Sequence, residues 1–502
     1  MMWAMSGHGI PRSFRHVDGF GVNTYRFVND EGESKLIKWH WKSLQGTASL
    51  VWEEAQVAAG ANIDYHRADL WDAIEAGHYP EWELCVQVLE ENQAQAFGFD
   101  VLDATKIIPE EIAPLRKLGK MRLDKNPRNY FAETEQIMFQ PGHIVRGVDF
   151  SEDPLLQGRL FSYLDTQLSR HGGPNFEQLP INRPVVPIHN NNRDGAAQML
   201  IHTNVAHYQP NTLSNNKPMQ ANQTHGRGFF NAPSRRVNGG LVRADPRSFD
   251  DHWTQPRLFW NSLTPAEQQQ VVDAIRFETS NVKSEVVRQN VIIQLNKVSH
   301  ELAALVAPAI GIEVPEPDPK YYHNKTTKGV SILGEKLKSL AGLKVGVLAT
   351  VDDDASMQQA KDLKEQFAAE KVDAVVVGER LADGVDQTYS ATRAHAFDGL
   401  IIVDGAEKLF DPKAVSPLYP AGRPAQTLED SYRWGKPIGA TGSAAQVYDS
   451  AGVKNGPGVY AANSTSEVVD SFKEGLKQFK FVDRFPMDAS IQSGNGRNQT
   501  QG

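Results

Sequence analysis

In the stretch KLIKWHWK, Lys35 to Lys42, apolar and polar side chains alternate from Ile37 onward. Ile37, Trp39 and Trp41 fall on one side and Lys38, His40 and Lys42 on the other, the period of two that belongs to a β-strand. Just upstream, VNTYRFVNDEG (Val22 to Gly32) supplies a second extended run and an Asn-Asp-Glu-Gly turn, so Val22 to Lys42 reads as a hairpin. A second hairpin is expected further on. Trp82, Leu84, Val86 and Val88 alternate, and Glu90 to Gln93 turns the chain into AFGFDVLD, Ala96 to Asp103. Wide antiparallel strands with one apolar face predict a barrel or a large curved sheet.

The rest of the chain bounds what such a sheet belongs to. With 502 residues there is room for two or more domains, each with its own core. A net charge of −9 argues against a general nucleic-acid binder, and the basic run PSRRVNGGLVRADPR (Pro233 to Arg247) has no interleaved aromatics. No apolar run reaches the roughly 18 residues of a membrane span. The single cysteine, Cys85, excludes an intrachain disulfide and any cysteine-built metal site. Neither MMWAMSGHGIPRSFRH nor the polar ending GNGRNQTQG carries a targeting pattern, and the expected compartment is the cytoplasm.

Asn126 to Phe259 is rich in Pro, Gly and Asn, as expected of a segment that wraps another domain or serves a function. Its exception is a helix that Asp153 caps, Pro154 opens and Gly172 ends. Thr264-Pro265-Ala266-Glu267 is a capping box opening a helix to about Arg276. From about Ser280, Val287, Val291, Leu295, Val298, Leu302 and Leu305 recur at helical spacing, which predicts one further helix. VPEPDPKYY, with Pro315, Pro317 and Pro319, reads as a linker. Beyond it strands and helices alternate: LKVGVLAT, SMQQAKDLKEQFAAE, VDAVVVGE, FDGLIIVDG, TLEDSYRWG, KPIGATG and SEVVDSFKEGLKQF. That order predicts a parallel, flavodoxin-like sheet. The chain therefore divides into a core at 1–312, a linker at 313–341, an α/β domain at 342–483 and a polar tail at 484–502.

The chemistry concentrates in RLFSYLDTQLSR, Arg159 to Arg170. On a helix Leu155, Arg159, Ser162, Tyr163, Thr166 and Arg170 share one stripe. Two readings stay open. In one, Tyr163 is a buried phenol with an ordinary hydrogen-bond partner, and Arg159 reaches Asp165 or Glu152. In the other, the guanidinium one turn away favours the anionic form of the phenol, which then suits a ferric ion. Elsewhere there is no zinc helix and no Walker loop, Glu110-Glu111 reads as a solvated helix start, and His202 and His207 read as a surface pair.

The motif words, taken in order, resemble the haem catalases, in their large-subunit branch. They are GIPRSFRHVDGFG, TASLVWEEAQ, LWDAIEAG, NPRNYFAETEQ, MFQPGHIV, DPLLQGRLFSYLDTQLSRHGGPNFEQLPINRP, HNNNRDG and QPRLFWNSLTP. The resemblance implies an α+β fold: a catalase-type antiparallel β-barrel with wrapping loops and a helical segment, then the flavodoxin-like domain. It implies hydrogen peroxide as substrate, haem iron as cofactor and a homotetramer. It further implies a haem-iron ligand at Tyr163, phenolate support from Arg159, a propionate contact at Arg170 and proximal packing from Phe139 and Leu155, with Ser162 and Thr166 on the same cofactor-facing stripe. Where some large-subunit relatives carry a histidine or cysteine 23 residues before the ligand tyrosine, this chain has Gln140, so no cross-link is expected. Gly7 and His8 replace an acidic and a basic residue, and His8 is expected at the surface.

In relatives a distal histidine handles the peroxide proton and a distal asparagine orients the peroxide. Both lie upstream of the words matching MMWAMS, where this chain begins. They and the first barrel strands are expected to be absent, and none of the 15 histidines lies in a matching segment. The chain as it stands is then expected to be impaired, either as a fragment or mis-started copy of a normal enzyme or as a non-catalytic haem-binding or structural relative. The α/β domain resembles the glutamine-amidotransferase-like superfamily; the turn where its catalytic members place a nucleophilic cysteine is here GATGSA, Gly439 to Ala444, with no cysteine, and Ser443 lacks a Gly-x-Ser-x-Gly setting. A stabilising domain is the expectation.

Overall fold

Six strands form an antiparallel sheet: β1 (Gly19–Phe20), β2 (Tyr25–Val28), β3 (Ser34–Ser43), β4 (Glu81–Glu90), β5 (Arg116–Arg122) and β6 (Val148–Phe150). The alternating stretch lies inside β3. The computed structural model describes residues 1–492 apart from 186–191, 204, 214, 220, 223–227, 229–231, 235, 237–241, 246, 334 and 412. Within the quoted motifs, 189–191, part of the basic run 233–247 and all of 494–502 lie outside the described residues.

The strand order is β5-β4-β3-β2-β6, with β1 sharing an edge of β3 with β2. The register sets Ile37 opposite Val88, Trp39 opposite Val86 and Trp41 opposite Leu84. The two alternating sets therefore meet on one face of the sheet. Gly21 sits where a side chain would strike the Trp39 backbone and Cβ at about 3.0 Å, so glycine is what lets this segment cross β3.

AFGFDVLD is not the expected strand. It forms turns, and Phe97, Phe99 and Leu102 pack with Leu36, Leu89, Val101 and Ile108 on the face opposite Ile37 and Val88. The partner of β4 is β5, whose RKLGKMR is almost wholly exposed and so carries no apolar alternation to announce it. Two of its four cations form ion pairs, Lys117 to Glu83 and Lys120 to Glu81, each at 3.0 Å.

Helices α1 (Trp52–Ala61) and α2 (Tyr65–Glu75) follow β3, and α3 (Pro154–Arg170) follows β6. A helical layer follows, made of α4 (Thr254–Ser262), α5 (Pro265–Ser280), α6 (Glu285–Val298) and α7 (His300–Val306). Its core includes Trp260, Val271, Ile275, Leu295 and Leu302. The capping box of α5 forms as expected. The single helix expected beyond Ser280 is instead two, because Ser299 adopts extended backbone (φ −160°) and its hydroxyl caps α7.

The proline-rich segment is laced to this layer. Asn296 donates to the Glu316 carbonyl at 2.7 Å, and Arg257 donates to the His323 carbonyl at 3.1 Å. Glu267 accepts from Ser331 Oγ at 2.8 Å and from Ile332 N at 2.6 Å. Glu111, read as part of a solvated helix start, accepts from Thr327 Oγ1 at 2.8 Å. His8, expected at the surface, stacks on Trp3 with ring centroids 3.9 Å apart and bonds the Val330 carbonyl at 2.7 Å. Burial lowers its pKa.

The second sheet is wholly parallel. Its strands are β7 (Lys344–Leu348), β8 (Asp373–Gly378), β9 (Gln387–Thr388), β10 (Gly399–Ile402), β11 (Ile438–Thr441) and β12 (Val459–Ala462), in the order β12-β11-β10-β7-β8-β9. Without the two-residue β9 this is the flavodoxin order. Helices α8 (Asp354–Ala369), α9 (Arg423–Arg433), α10 (Val447–Ser450) and α11 (Thr465–Gln478) complete it. Residues 484–492, read as the start of a polar tail, instead return to the helical layer. Asp488 pairs with Arg276 at 2.9 Å and Ile491 is buried.

Two buried ion clusters join this sheet to the first part of the chain. Arg12 bridges Asp69 and Asp398, and Arg15 holds Asp69 at 2.8 Å and the Gly342 carbonyl at 3.0 Å. Beside them Glu54 receives both Lys436 and Lys480, each at 2.6 Å. No helix among the described residues is long and apolar enough to cross a membrane.

Candidate functional site

Helix α3 begins as the sequence predicts. Asp153 accepts from Leu156 N at 3.0 Å and Pro154 takes the first helical position. After the helix, Gly172 has φ +77°, the left-handed conformation that suits glycine. Asp153 is fully buried, and its second oxygen accepts from Asn23 Nδ2 at 2.9 Å and from Thr24 N at 3.2 Å. The helix cap is thus also the anchor of β2's entry.

One turn on, Arg159 donates through Nη1 to Asn23 Oδ1, and its guanidinium carbon lies 4.8 Å from the centre of the Tyr163 ring. Neither carboxylate considered for Arg159 takes it. Glu152 is held by Arg26 at 2.6 Å, and Asp165 is exposed. Tyr163 is half-buried rather than enclosed, and among the described residues its hydroxyl has no hydrogen-bond partner. The ordinary buried hydrogen bond of the first reading does not form.

Phe139 and Leu155 are 67% and 53% exposed, which leaves apolar surface uncovered on α3 and on the segment that Gln167 ties to it. Ser162 and Thr166 are exposed along the same stripe, and Arg170 bonds the Glu135 carbonyl at 2.7 Å with its head toward solvent. Gln167 links the helix to the Phe139 carbonyl at 3.4 Å, which holds the two sides of the patch together. Gln140 accepts from Gly142 N at 3.1 Å.

Tyr25 was not singled out from the sequence. Its hydroxyl donates to the Pro141 carbonyl at 3.3 Å, and burial raises its pKa while Arg159 opposes the rise. Asn23 was missed for a different reason. It sits in a strand-like run and shows no pattern, and only the fold brings its amide between Arg159 and Asp153. Two cavities of 310 and 860 Å³ lie elsewhere and are lined by none of the α3 residues.

The arrangement fits a flat, largely apolar ligand with an electrophilic centre. It offers a free phenol oxygen, a cation behind the ring, uncovered apolar side chains beside it and a second cation two turns along. In the parallel sheet, by contrast, Asp404 accepts from both Ser443 Oγ and Ser443 N, and a side chain on Gly442 (φ +54°) would strike that carboxylate at about 3 Å.

Residues 1–215 match the family model described as catalase. Residues 246–310 match the catalase-related immune-responsive model, and 341–486 match the C-terminal domain found in long catalases. Catalase B of Aspergillus oryzae is 63% identical over 499 residues, covering 97% of this chain and 69% of the relative. Catalase-3 of Neurospora crassa is 60% identical over 489 residues, covering 97% and 68%. Catalase HPII of Pseudomonas aeruginosa is 37% identical over 494 residues, covering 96% and 68%.

Proposed function

The chain belongs to the catalase family, haem enzymes that dismutate hydrogen peroxide to water and dioxygen, and on that premise we propose that Tyr163 is its haem-iron ligand. The observation that carries this is the Tyr163 hydroxyl, which has no partner among the described residues, on a helix that leaves Leu155 exposed. A phenolate is a hard anionic donor suited to ferric iron, so the donor chemistry fits the group. When bound, haem iron supplies the redox chemistry that peroxide dismutation requires.

The chain's own residues then have separate tasks. Arg159 places its guanidinium carbon 4.8 Å from the ring centre, a cation–π contact that holds the phenol ring in place. Phe139 and Leu155 offer apolar faces to a flat macrocycle. Ser162 and Thr166 line the same stripe, and Arg170 suits an anionic group at the ligand's edge. Gln140 has neither an imidazole nor a thiol with which to join Tyr163 covalently.

Tyr163→Phe in the haem-loaded protein is expected to lose haem or hold it weakly, read from the Soret band and the haem-to-protein ratio. An unchanged spectrum at unchanged stoichiometry would remove the ligand assignment.

The same reading extends to assembly as a homotetramer. Phe161, Leu164 and Leu168 are 77%, 41% and 39% exposed on the side of α3 opposite Tyr163, an apolar stripe that needs cover. Light scattering is expected to give four times the chain mass, and a monomeric mass at micromolar concentration would exclude the assembly.

A further inference from the structure

In the parallel-sheet domain, Arg423 is the first residue of α9, just after Gly422 (φ +71°), and its backbone N–H donates to the Pro420 carbonyl at 3.1 Å. The loop before β10 supplies the Thr392 carbonyl, which accepts from Arg423 Nη1 at 3.3 Å. Thr392 is 1% exposed, and its hydroxyl is tied to Gln387 Oε1 at 3.1 Å. The guanidinium is therefore pinned on one side only. Its other edge, Nε and Nη2, has no acceptor among the described residues, although Nε is buried. A buried charged donor left without an acceptor is costly, and a site that leaves one open calls for a ligand oxygen.

No carboxylate fills that place. The residue after Thr392 is Arg393, an exposed cation with no ion pair among the described residues. Burial lowers the Arg423 pKa, and the charge of Arg393 lowers it further, so the second cation is close enough to be felt. The acid whose charge reaches Arg423 is Asp430, two turns along α9, and Arg433 already holds it at 2.7 Å. The first turn of α9 has no acidic residue and no side-chain cap, so the positive end of the helix dipole adds to the two cations.

We propose that Arg423 and Arg393 form a binding site for a dianionic phosphoryl group. Two oxygens of a tetrahedral anion can accept from Nε and Nη2 in the paired geometry of a guanidinium, while Arg393 balances the second charge. A carboxylate would neutralise only one of the two cations. The site also adjoins the junction between this domain and the first part of the chain. In the same loop the Ala394 carbonyl accepts from Lys436 at 2.7 Å, and Asp398 takes Arg12. A bound phosphoryl group ties this loop to α9 and so braces the junction.

The experiment does not depend on the assignment of Tyr163. The haem-loaded full chain is titrated by calorimetry with inorganic phosphate, adenosine monophosphate and acetate at constant ionic strength, and its thermal midpoint is followed with each. Wild type is expected to bind phosphate saturably and to melt higher in its presence. Acetate should bind roughly tenfold more weakly, the loss of about one charge-assisted hydrogen bond. Arg393→Asp places a carboxylate beside Arg423, and it should raise the midpoint without phosphate and abolish the response to it. Arg423→Gln should lose saturable binding.

Equal affinity for phosphate and the monoester assigns the site to the free ion, and tighter binding of the monoester assigns it to a phosphorylated small molecule; both support the proposal. No saturable heat at millimolar phosphate, acetate binding as tightly as phosphate, or an undiminished phosphate response in Arg393→Asp would overturn it. If Arg423→Gln does not fold, the exposed position 393 decides by the same criteria.

Discussion

Asp153 performs two tasks that are usually separate, capping α3 and anchoring Asn23 and Thr24. Asp153→Ala would leave Leu156 N, Thr24 N and the Asn23 amide without acceptors in a buried setting. It should destabilise the protein by about 3 kcal/mol, combining a lost helix cap with unpaired buried donors. A fall in the urea midpoint at unchanged slope would report this, and a midpoint within error of wild type would contradict it. The capping role of Asp153 was legible from its place before Pro154. Its second role was not, because Asn23 lies 130 residues away in the chain. Tyr163 was legible as half of a motif, but its open hydroxyl was not, since burial is a property of the whole surface around it.

At the scale of elements, the helix α5 and the proline-rich segment share one carboxylate. Glu267 closes the capping box by accepting from Thr264 N at 2.8 Å, and it also accepts from Ile332 N and from Leu333 N at 3.2 Å. Glu267→Gln exchanges one acceptor oxygen for a donor that faces N–H groups. Amide exchange at Ile332 and Leu333 should accelerate by roughly a hundredfold, the equivalent of about 3 kcal/mol of lost local protection. Exchange at the wild-type rate would show that the segment is held by its other contacts. The capping box was readable because its four residues are contiguous. The split between α6 and α7 was not, because the apolar spacing runs through Ser299 unchanged and the break is a backbone event. β5 stayed hidden because an exposed edge strand has no buried face to impose alternation.

At the scale of the whole molecule, the parallel-sheet domain is joined to the first part of the chain by buried charge. Glu54 carries one negative charge against Lys436 and Lys480, and burial lowers the Lys480 pKa from its ordinary 10.5 to about 8, with Glu54 opposing the fall. Between those two pH values the unfolded chain holds a proton that the folded chain lacks. This group's contribution therefore grows as pH rises from 8 to 10.5 and is lost as pH falls through 8. Comparing wild type with Lys480→Met, the difference in stability should change across that window by up to about 3 kcal/mol. A difference that stays flat with pH would show that Lys480 keeps its proton. The seam itself had no sequence signal, since Arg12, Glu54 and Asp69 stand among ordinary solvated charges in their own segments. What the sequence determined by itself was whatever rests on neighbours along the chain: strand alternation, helix caps, the α/β grammar and the Arg159–Tyr163 stripe. These follow from local periodicity and steric preference, which need no partner. Only the tertiary structure decided which charges are buried, which strand pairs with β4, and that Asn23 stands between Arg159 and Asp153. Those outcomes depend on which distant groups lose water together, and desolvation is a property of the assembled surface rather than of any one segment.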